Sequence, residues 1–345
     1  MIPEMLLCAA YMNPAQQVMQ VATSYMATAA LNAALSLDIP DHLAGGPRSA
    51  AQLAQAAGAN EDAVFRVLRL LASLGLFEEV SPRTFALTPA GQLMRSDVPG
   101  SLRGIAYFIS DPTHFQIYAN IMHSMKTGRP ASEFTFGMPP FEYLATHPDY
   151  SKTFNDAMTA FSAPIGNAAL EAYDFGGIGT LVDVAGGHGE ILMMILKAHP
   201  QMRGIVCDLD HVVDGAKPRI AAAGLSDRMQ AVPCDFFKAV PEGGDAYIMK
   251  HILHDWYDDD ASLILKNIAK AMGPRKGRVI LLEAVIASGG EPDFGKSLDI
   301  EMMLFPGDKE RTAEEYTALF ASAGFSLTRV VPTKSPVSVI EAIRV

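Results

Sequence analysis

Short apolar segments of β type alternate with longer segments of helical periodicity through the second half of the chain. EILMMILKAHP and ASLILKNIAKAM have the length and spacing of helices. Such alternation predicts a parallel sheet covered by helices. FSLTRVV and VSVIEAI then predict a closing hairpin at one edge of that sheet. The strand-like segments before this hairpin are TLVDV, GIVC, DAYIM and RVILLE, which begin at residues 180, 204, 245 and 278.

A different pattern runs through residues 49–94. Ser49 can cap a short helix that stops at Gly58. LFEEV and TFALT are β-prone segments separated by a turn, and Thr88 before a proline opens another helix. Helix, helix, two-stranded wing and helix predict a winged-helix domain. The apolar residues at helical spacing in the second helix are Val64, Val67, Leu68, Leu71 and Leu74.

Charge argues against nucleic acid as the partner of this winged helix. No lysine precedes Lys126, and residues 1–100 carry five arginines against eight acidic residues. The net charge of the whole chain is −11. A face that binds phosphates needs clustered cations. The pattern therefore favours a packing or dimerisation domain, which the apolar helical residues 14–37 support.

Composition sets the broad class of the protein. A chain of 345 residues is long enough for two domains, and 49% of it is hydrophobic. No apolar run is long enough to span a membrane, and Glu4 stands where a secretory signal would be positive, so neither segment is expected. Three scattered cysteines, Cys8, Cys207 and Cys234, form no C-x-x-C pair. They favour a reducing, cytoplasmic location over a disulfide framework.

LVDVAGGHGEILMMIL carries the clearest ligand signal. A strand ends at Val184, a glycine-rich turn follows, and a helix begins near Glu190. The turn fits neither G-x-G-x-x-G nor the phosphate loop ending in Gly-Lys-Ser/Thr. Asp208 ends the next strand, where a carboxylate can accept hydrogen bonds from ribose hydroxyls, and Asp235 follows the strand after that. A lone aspartate after a strand is usually a helix cap, but three signals in register favour a phosphate-free nucleoside such as S-adenosylmethionine.

KHILHDWYDDD, residues 250–260, admits three interpretations: a metal site, a catalytic base or the start of a helix. His251 and His254 are three residues apart, but they lie on a strand-to-helix turn, so we expect no functional metal. The three aspartates that follow are explained by the next helix, whose dipole they complement.

Six motifs occur together in one order: VDVAGGHG, DLDHV, CDFF, MKHILHDWYDD, EAVI and PGDKERT. They resemble the small-molecule O-methyltransferases of plant phenylpropanoid and bacterial polyketide pathways. The resemblance implies an α/β fold with three parts: a mainly α, winged-helix-like dimerisation domain at 1–105, a helical connector with part of the substrate pocket at 106–165, and a Rossmann-like S-adenosylmethionine domain at 166–345. The last has a seven-stranded, mostly parallel sheet with helices on both faces. A homodimer is expected.

The resemblance also implies a set of cofactor residues. Asp208 and Leu209 hold the ribose, Asp235 and Phe236 the adenine, and Ser162 the amino-acid end. Ala185 departs from the family, which often has a first glycine there, and LDHV replaces the usual LPHV. The other cofactor residues are Asp183, Gly186, Gly187 and Gly189 in the loop and Lys250 beside it.

For the chemistry, the resemblance makes His254 the general base and places Glu283 and Glu310 on either side of it. A phenol has a pKa of about 10, so it must lose a proton before methyl transfer, and a histidine can take it. The alternative for His254 is a buried histidine without a chemical role. His251 is interpreted as packing or substrate-lining.

The resemblance assigns the acceptor pocket to Phe154, Met158, Trp256 and Met302, although such residues are as often plain core. The predicted protein is a metal-independent O-methyltransferase that moves a methyl group to a phenolic or polyketide-like molecule and releases S-adenosylhomocysteine. Two alternatives remain open. One is an enzyme of the same fold with another reaction, such as hydroxylation or decarboxylation, and the other is a winged-helix regulator that binds DNA.

Overall fold

A computed structural model describes residues 13–345, apart from the side chains of Thr159 and His211. Cys8 and the N-terminal segment judged for a secretory signal lie outside the described residues. The chain divides into two compact units, one comprising residues up to 119 with 144–161, the other residues 120–143 with 162–345. The predicted three-part division remains a prediction.

The first unit is mainly helical and carries a small sheet. Its elements, in chain order, are α1 (Pro14–Ser36), α2 (Ile39–His42), β1 (Arg48–Ser49), α3 (Ala50–Ala57), α4 (Glu61–Ser73), β2 (Phe77–Ser81), β3 (Thr84–Leu87), α5 (Pro89–Gln92), α6 (Arg103–Ser110) and α7 (Pro112–Ala119).

Local sequence explains the winged-helix part of this unit. Ser49 and Gln52 form a reciprocal capping box at the start of α3, and Gly58 ends that helix with a φ of 63°. The small sheet has the order β1-β3-β2, so β2 and β3 form the expected wing. Helix α4 buries Val64, Leu68 and Leu71, whereas Leu74 follows the helix and is 54% exposed. The helix is thus one residue shorter than its apolar pattern indicated.

The remaining elements follow α7. Residues 144–161 among them belong to the first unit, and the others belong to the second unit, which contains the large sheet. In chain order the elements after α7 are α8 (Ile121–Thr127), α9 (Ala131–Phe136), α10 (Pro140–Thr146), α11 (Pro148–Ala172), β4 (Thr180–Val184), α12 (Glu190–Ala198), β5 (Arg203–Asp208), α13 (Asp210–Ala222), β6 (Met229–Pro233), β7 (Ala246–Lys250), α14 (Asp258–Met272), β8 (Arg278–Glu283), α15 (Phe294–Leu304), α16 (Ala313–Ser322), β9 (Phe325–Pro332) and β10 (Ser338–Arg344). A 3-10 turn, Leu253–Asp255, lies between β7 and α14.

The seven strands of the large sheet run in the order β6-β5-β4-β7-β8-β10-β9. The first five are parallel, and β10 is antiparallel to both β8 and β9. This confirms the predicted parallel sheet and closing hairpin. Strand β10 inserts between β8 and β9, so β9 becomes the edge.

Helices cover both faces of this sheet. A Cβ on Gly204 of β5 would lie 2.9 Å from side-chain atoms of Leu192 and Leu196, so α12 packs against that face. Cys207, three positions along β5, points to the opposite face because successive side chains of a strand alternate. It belongs to the core cluster that contains Ile264 and Leu265 of α14. Among residues 13–345, no helix is both long and apolar enough to cross a membrane.

Candidate active site

The loop between β4 and α12 brings backbone close to open space at the carboxyl end of the sheet. Gly187 has a φ of 59°, and a Cβ built on it would meet no atom within 4 Å. Ala185 has a φ of 54°, in the left-handed region that favours glycine. The departure from the family pattern therefore falls at a position where alanine is strained.

Asp183 lies beneath this loop. A Cβ on Gly186 would be 2.4 Å from Cγ of Asp183, so only glycine fits there. Asp183 is 3% exposed, and its Oδ2 has no hydrogen-bond partner in the described part of the chain. Burial raises the pKa of Asp183 to about 7, which the charge of Lys250 partly opposes. Burial likewise lowers the pKa of Lys250.

Asp208, at the end of β5, is tied to the loop. Its Oδ2 accepts a hydrogen bond from Gly187 N at 2.8 Å, and its Oδ1 accepts one from Leu209 N at 2.7 Å. Each carboxylate oxygen has a second lone pair. Asp208 can therefore hold the loop and still accept hydrogen bonds from a ligand.

Asp235 makes local contacts. Its Oδ1 accepts from Phe237 N at 3.0 Å, and its Oδ2 lies 2.9 Å from Nζ of Lys238, whose hydrogen bond lowers the pKa of Asp235. Phe236 packs edge-to-face on Trp256 with ring centroids 5.8 Å apart. A predicted adenine contact and a predicted substrate contact thus touch one another.

The centre of the site is His254, in the 3-10 turn after β7. Its Nδ1 is 2.6 Å from Oε1 of Glu310, and both side chains are buried. A carboxylate can only accept, so Nδ1 carries the proton and Nε2 is the basic nitrogen. Burial lowers the pKa of His254, but the charges of Glu310, Asp255 and Glu283 outweigh it and raise that pKa to about 10.

Glu283, fully buried at the end of β8, has a different set of partners. Its Oε1 accepts hydrogen bonds from Ile252 N at 3.1 Å and Leu253 N at 2.7 Å. Its Oε2 accepts one from the hydroxyl of Tyr316 at 2.6 Å. Glu283 thus holds the backbone that leads into the His254 turn, while Glu310 holds the ring.

Arg311, also fully buried, binds the far side of the same turn. Its guanidinium donates to the carbonyls of Leu253 and Trp256, each at 2.8 Å. It also pairs with Asp258 and Asp308. Because Arg311 follows Glu310 in the chain, one short segment fixes both the ring and the backbone around it.

His251 precedes the turn with a φ of 53°, again left-handed. Its ring lies nearly parallel to that of His254, with an angle of 16° and centroids 5.0 Å apart. Burial, Lys250 and His254 lower the pKa of His251 well below its usual value. Within residues 13–345, no group of three or more His, Cys, Asp or Glu side chains comes together as a metal site would require.

The predicted substrate residues fall in both units. Phe154 and Met158 belong to the first unit, where Phe154 packs edge-on against Phe108 with centroids 5.5 Å apart. Trp256 and Met302 belong to the second, as does Ser162, which is 7% exposed in α11. The pocket formed by these residues remains a prediction.

Comparison with known proteins then decides the family. A family profile described as the O-methyltransferase domain matches residues 118–326, more than half of the chain. The chain belongs to the O-methyltransferase family. A second profile, the O-methyltransferase dimerisation domain, matches residues 19–97 of this O-methyltransferase, which supports self-association through the winged-helix part.

Known relatives match nearly the whole O-methyltransferase. Phenazine O-methyltransferase PhzM of Lysobacter antibioticus is 40% identical over 325 residues, which cover 94% of this chain and 95% of that protein. The crystal structure of LaPhzM has a TM-score of 0.90 at 39% identity and covers 97% of this chain and 100% of its own. NcsB1 from neocarzinostatin biosynthesis, solved with S-adenosylmethionine and 2-hydroxy-5-methyl naphthoic acid, has a TM-score of 0.77 at 33% identity, covering 92% and 96%.

The protein is therefore an S-adenosylmethionine-dependent O-methyltransferase of secondary metabolites. Three observations fit this cofactor: the open backbone at Gly187, the buried Oδ2 of Asp183 without a partner among the described residues, and the spare lone pairs of Asp208. None of them requires a phosphate group. The winged helix belongs to a dimerisation domain rather than to a DNA-binding regulator.

Two residues that organise the O-methyltransferase site were missed by sequence analysis. Neither Arg311 nor Tyr316 was predicted to be a site residue. Nothing in the local pattern distinguishes Arg311 from a surface arginine, because its five hydrogen bonds reach residues far away in sequence as well as nearby. Asp258, expected only to cap α14, also serves as its ion partner.

Proposed function

We propose that the protein methylates a phenolic hydroxyl on an aromatic secondary metabolite, with His254 as the general base. The observation that carries this proposal is the buried 2.6 Å contact between Nδ1 of His254 and Oε1 of Glu310. It fixes the ring and leaves Nε2 as the nitrogen that can take a proton. The same arrangement of carboxylate and imidazole orients the base in other enzymes.

Methyl transfer requires an oxygen, a methyl carbon and a sulfur in line, so positioning of the two substrates supplies much of the rate. S-adenosylmethionine supplies the methyl group on a sulfonium sulfur. The chain holds it through the loop glycines Gly186, Gly187 and Gly189 and through Asp183 and Asp208. The other proposed cofactor contacts are Ser162, Leu209, Asp235, Phe236 and Lys250.

The charges around His254 strengthen it as a base. A phenol has a reference pKa of about 10, and the carboxylates around His254 raise its pKa to about 10. The neutral ring, which is the form that takes a proton, is therefore populated mainly toward alkaline pH, and it can accept the phenol proton at Nε2 without a large cost in free energy. The carboxylate of Glu310 stabilises the imidazolium that results.

The rest of the buried network positions this base. Glu283 holds the amides of Ile252 and Leu253, and Arg311 holds the carbonyls of Leu253 and Trp256. Both are positioning residues in this proposal. Because the turn is held on both sides, Nε2 of His254 stays in one position, and a fixed base is more effective in catalysis than a mobile one.

The acceptor is proposed to be a flat, hydroxylated aromatic ring system. Phenazine O-methyltransferase PhzM and NcsB1, which was solved with 2-hydroxy-5-methyl naphthoic acid, support this class. Phe154, Met158, Trp256 and Met302 are proposed to line the pocket, since aromatic and methionine side chains make good apolar contacts with a flat ring. A phenol or naphthol is an acid that the proposed base can ionise.

Transfer of a labelled methyl group to a panel of hydroxynaphthoates, hydroxyphenazines, simple phenols and aromatic amines tests the proposal. We expect product from hydroxylated rings, unchanged by a chelator. His254→Ala should lower turnover by about 10² to 10⁴ while cofactor affinity stays constant. Lys266→Ala, at an exposed position of α14, is the control.

Two results would contradict parts of the proposal. Full turnover by the His254→Ala variant across neutral pH would show that His254 is not the general base. Methyl transfer only to amines would show that the acceptor is not a phenol, while the proposed cofactor site would still stand.

A further inference from the structure

His251 has a backbone conformation that needs an explanation. Its φ of 53° lies in the left-handed region, which is unfavourable for a residue with a side chain. The amide of His251 still donates to the carbonyl of Leu282 at 3.2 Å, so the strained residue continues the pairing of β7 with β8. Such strain persists where the surrounding structure holds it, and it is concentrated at functional sites.

The conformation places the ring of His251 on the ring of His254. The two rings are 5.0 Å apart between centroids and 16° from parallel. Glu310 fixes one edge of the His254 ring, and His251 covers one of its faces. These two contacts restrict different motions, since the first limits translation of the edge and the second limits tilting of the plane.

The charges around the pair differ for the two rings. Glu310, Asp255 and Glu283 face His254 and favour its protonated form. Lys250 and His254 act on His251 and oppose a second positive charge. The stack therefore consists of one ring that takes a proton and one that stays neutral. The electron-rich face of a neutral aromatic ring attracts a cation.

We propose that His251 is a positioning residue for the reaction, with its neutral ring as the stacking face that orients His254 and stabilises its protonated form. This inference rests on the proposed role of His254. It gives His251 a role through another residue, and it requires a flat ring at position 251.

A series of substitutions separates these requirements. His251→Phe keeps a flat ring, His251→Leu keeps bulk without a ring, and His251→Gly removes the side chain while accommodating the left-handed φ. We expect kcat to fall about tenfold in the Leu and Gly variants, in line with the loss of one desolvated stacking contact. The Phe variant should recover most of that loss. The KM for S-adenosylmethionine should stay within about twofold in all three.

Two further measurements report on His254 itself. The ascending limb of the kcat profile should move to lower pH in the Leu and Gly variants, because the protonated form of His254 loses its stacking partner. Nitrogen-15 spectra of labelled histidine should show the same shift in the titration of His254 without any turnover. A residue that only supported the fold would change neither measurement.

The results that overturn the inference differ from those that overturn the base. If His254→Ala is inactive while His251→Gly has wild-type kcat and an unshifted titration of His254, the stacking role is wrong and the base remains. A Phe variant as impaired as the Leu variant would also overturn the inference, since it would show that a ring is not enough. If His254→Ala stays active, the base itself is wrong.

Discussion

His254 and Glu310 are 56 residues apart in sequence and 2.6 Å apart in the fold, between Nδ1 of the ring and Oε1 of the carboxylate. One belongs to the turn after β7 and the other to the segment before α16. The contact joins two loops at the carboxyl end of the sheet, where open α/β sheets place their ligands. It also leads to a prediction on pH.

Replacing Glu310 by Gln should move the pH dependence of turnover toward acid. His254 has a pKa raised to about 10, so its neutral form becomes available only as the pH rises. Removing the carboxylate removes a charge that favours the protonated ring, so the pKa of His254 falls. We expect the ascending limb of kcat to shift to lower pH and the maximum to drop by about tenfold or more, since the base is weaker and less well oriented. An unshifted limb would mean that another group controls it.

The same pair contributes to stability in a defined pH range. A histidine whose pKa is raised on folding stabilises the protein fully below its ordinary value of 6.5, and the contribution is lost as the pH rises through about 10. The difference in unfolding free energy between wild type and Glu310→Gln should therefore narrow between these pH values. Denaturant unfolding at several pH values measures it. A difference that stays constant would exclude the charge as its origin.

Removing the hydroxyl of Tyr316 should loosen the turn from the side of Glu283. Tyr316→Phe deletes the hydrogen bond to Oε2 of Glu283 at 2.6 Å and leaves a buried carboxylate oxygen without that donor. We expect a loss of about 1 to 3 kcal/mol in stability and a fall in kcat with unchanged cofactor affinity. Tyr257→Phe is a matched control, because Tyr257 is 53% exposed. Weakened cofactor binding in the Tyr316→Phe variant would instead show that the substitution acts on the cofactor loop between β4 and α12.

Asp208 should control cofactor affinity. Asp208→Ala removes the acceptor for Gly187 N and the lone pairs proposed for the ribose. Hydrogen bonds to a charged group are worth about 1.5 to 3 kcal/mol each, so calorimetry should show at least about a tenfold loss in affinity for S-adenosylmethionine. Asp245→Ala is the control, since Asp245 accepts from Thr180 N at the opposite end of β4. If the Asp208→Ala and Asp245→Ala variants bind S-adenosylmethionine with equal affinity, Asp208 does not bind the cofactor.

Ala185→Gly should stabilise the protein. A left-handed φ of 54° costs alanine about 1 to 2 kcal/mol more than glycine in the folded protein. Glycine has greater conformational entropy in the unfolded chain, and this offsets about half of the gain in stability. We expect a net gain of about 0.5 to 1 kcal/mol in unfolding free energy by denaturant titration. Ala318→Gly, at an exposed position within α16, should lose about 1 kcal/mol. A loss at both positions would mean that position 185 is not strained.

The dimer should depend on α1. Three apolar residues of α1 are each more than half exposed: Val18, Val21 and Tyr25. The dimerisation profile begins at residue 19 and includes most of this helix. Exposed apolar groups of this density usually mark an interface. Val21→Asp combined with Tyr25→Asp should weaken dimerisation at least about tenfold, because each buries a charge without a partner. Analytical ultracentrifugation measures it, with Leu263→Asp on α14 as control. An unchanged dimer would place the interface elsewhere.

The sequence by itself determined the elements whose causes are local. Six of the seven strands of the large sheet, the helix cap at Ser49 and the glycine stop at Gly58 all follow from residues that lie within a few positions of one another. The family motifs also located the cofactor loop and His254, because each motif is a contiguous segment. These features depend on backbone preference and periodicity, which neighbouring residues set.

Only the tertiary structure decided how distant segments meet. It divided the roles of two acids that look alike in sequence, with Glu310 on the ring of His254 and Glu283 on the backbone of the turn. In the fold, Arg311 is fully buried and binds the His254 turn, and β10 lies between β8 and β9. Burial and pairing across 30 to 60 residues of chain control such outcomes, and the energy of a buried charge depends on partners that no local pattern specifies.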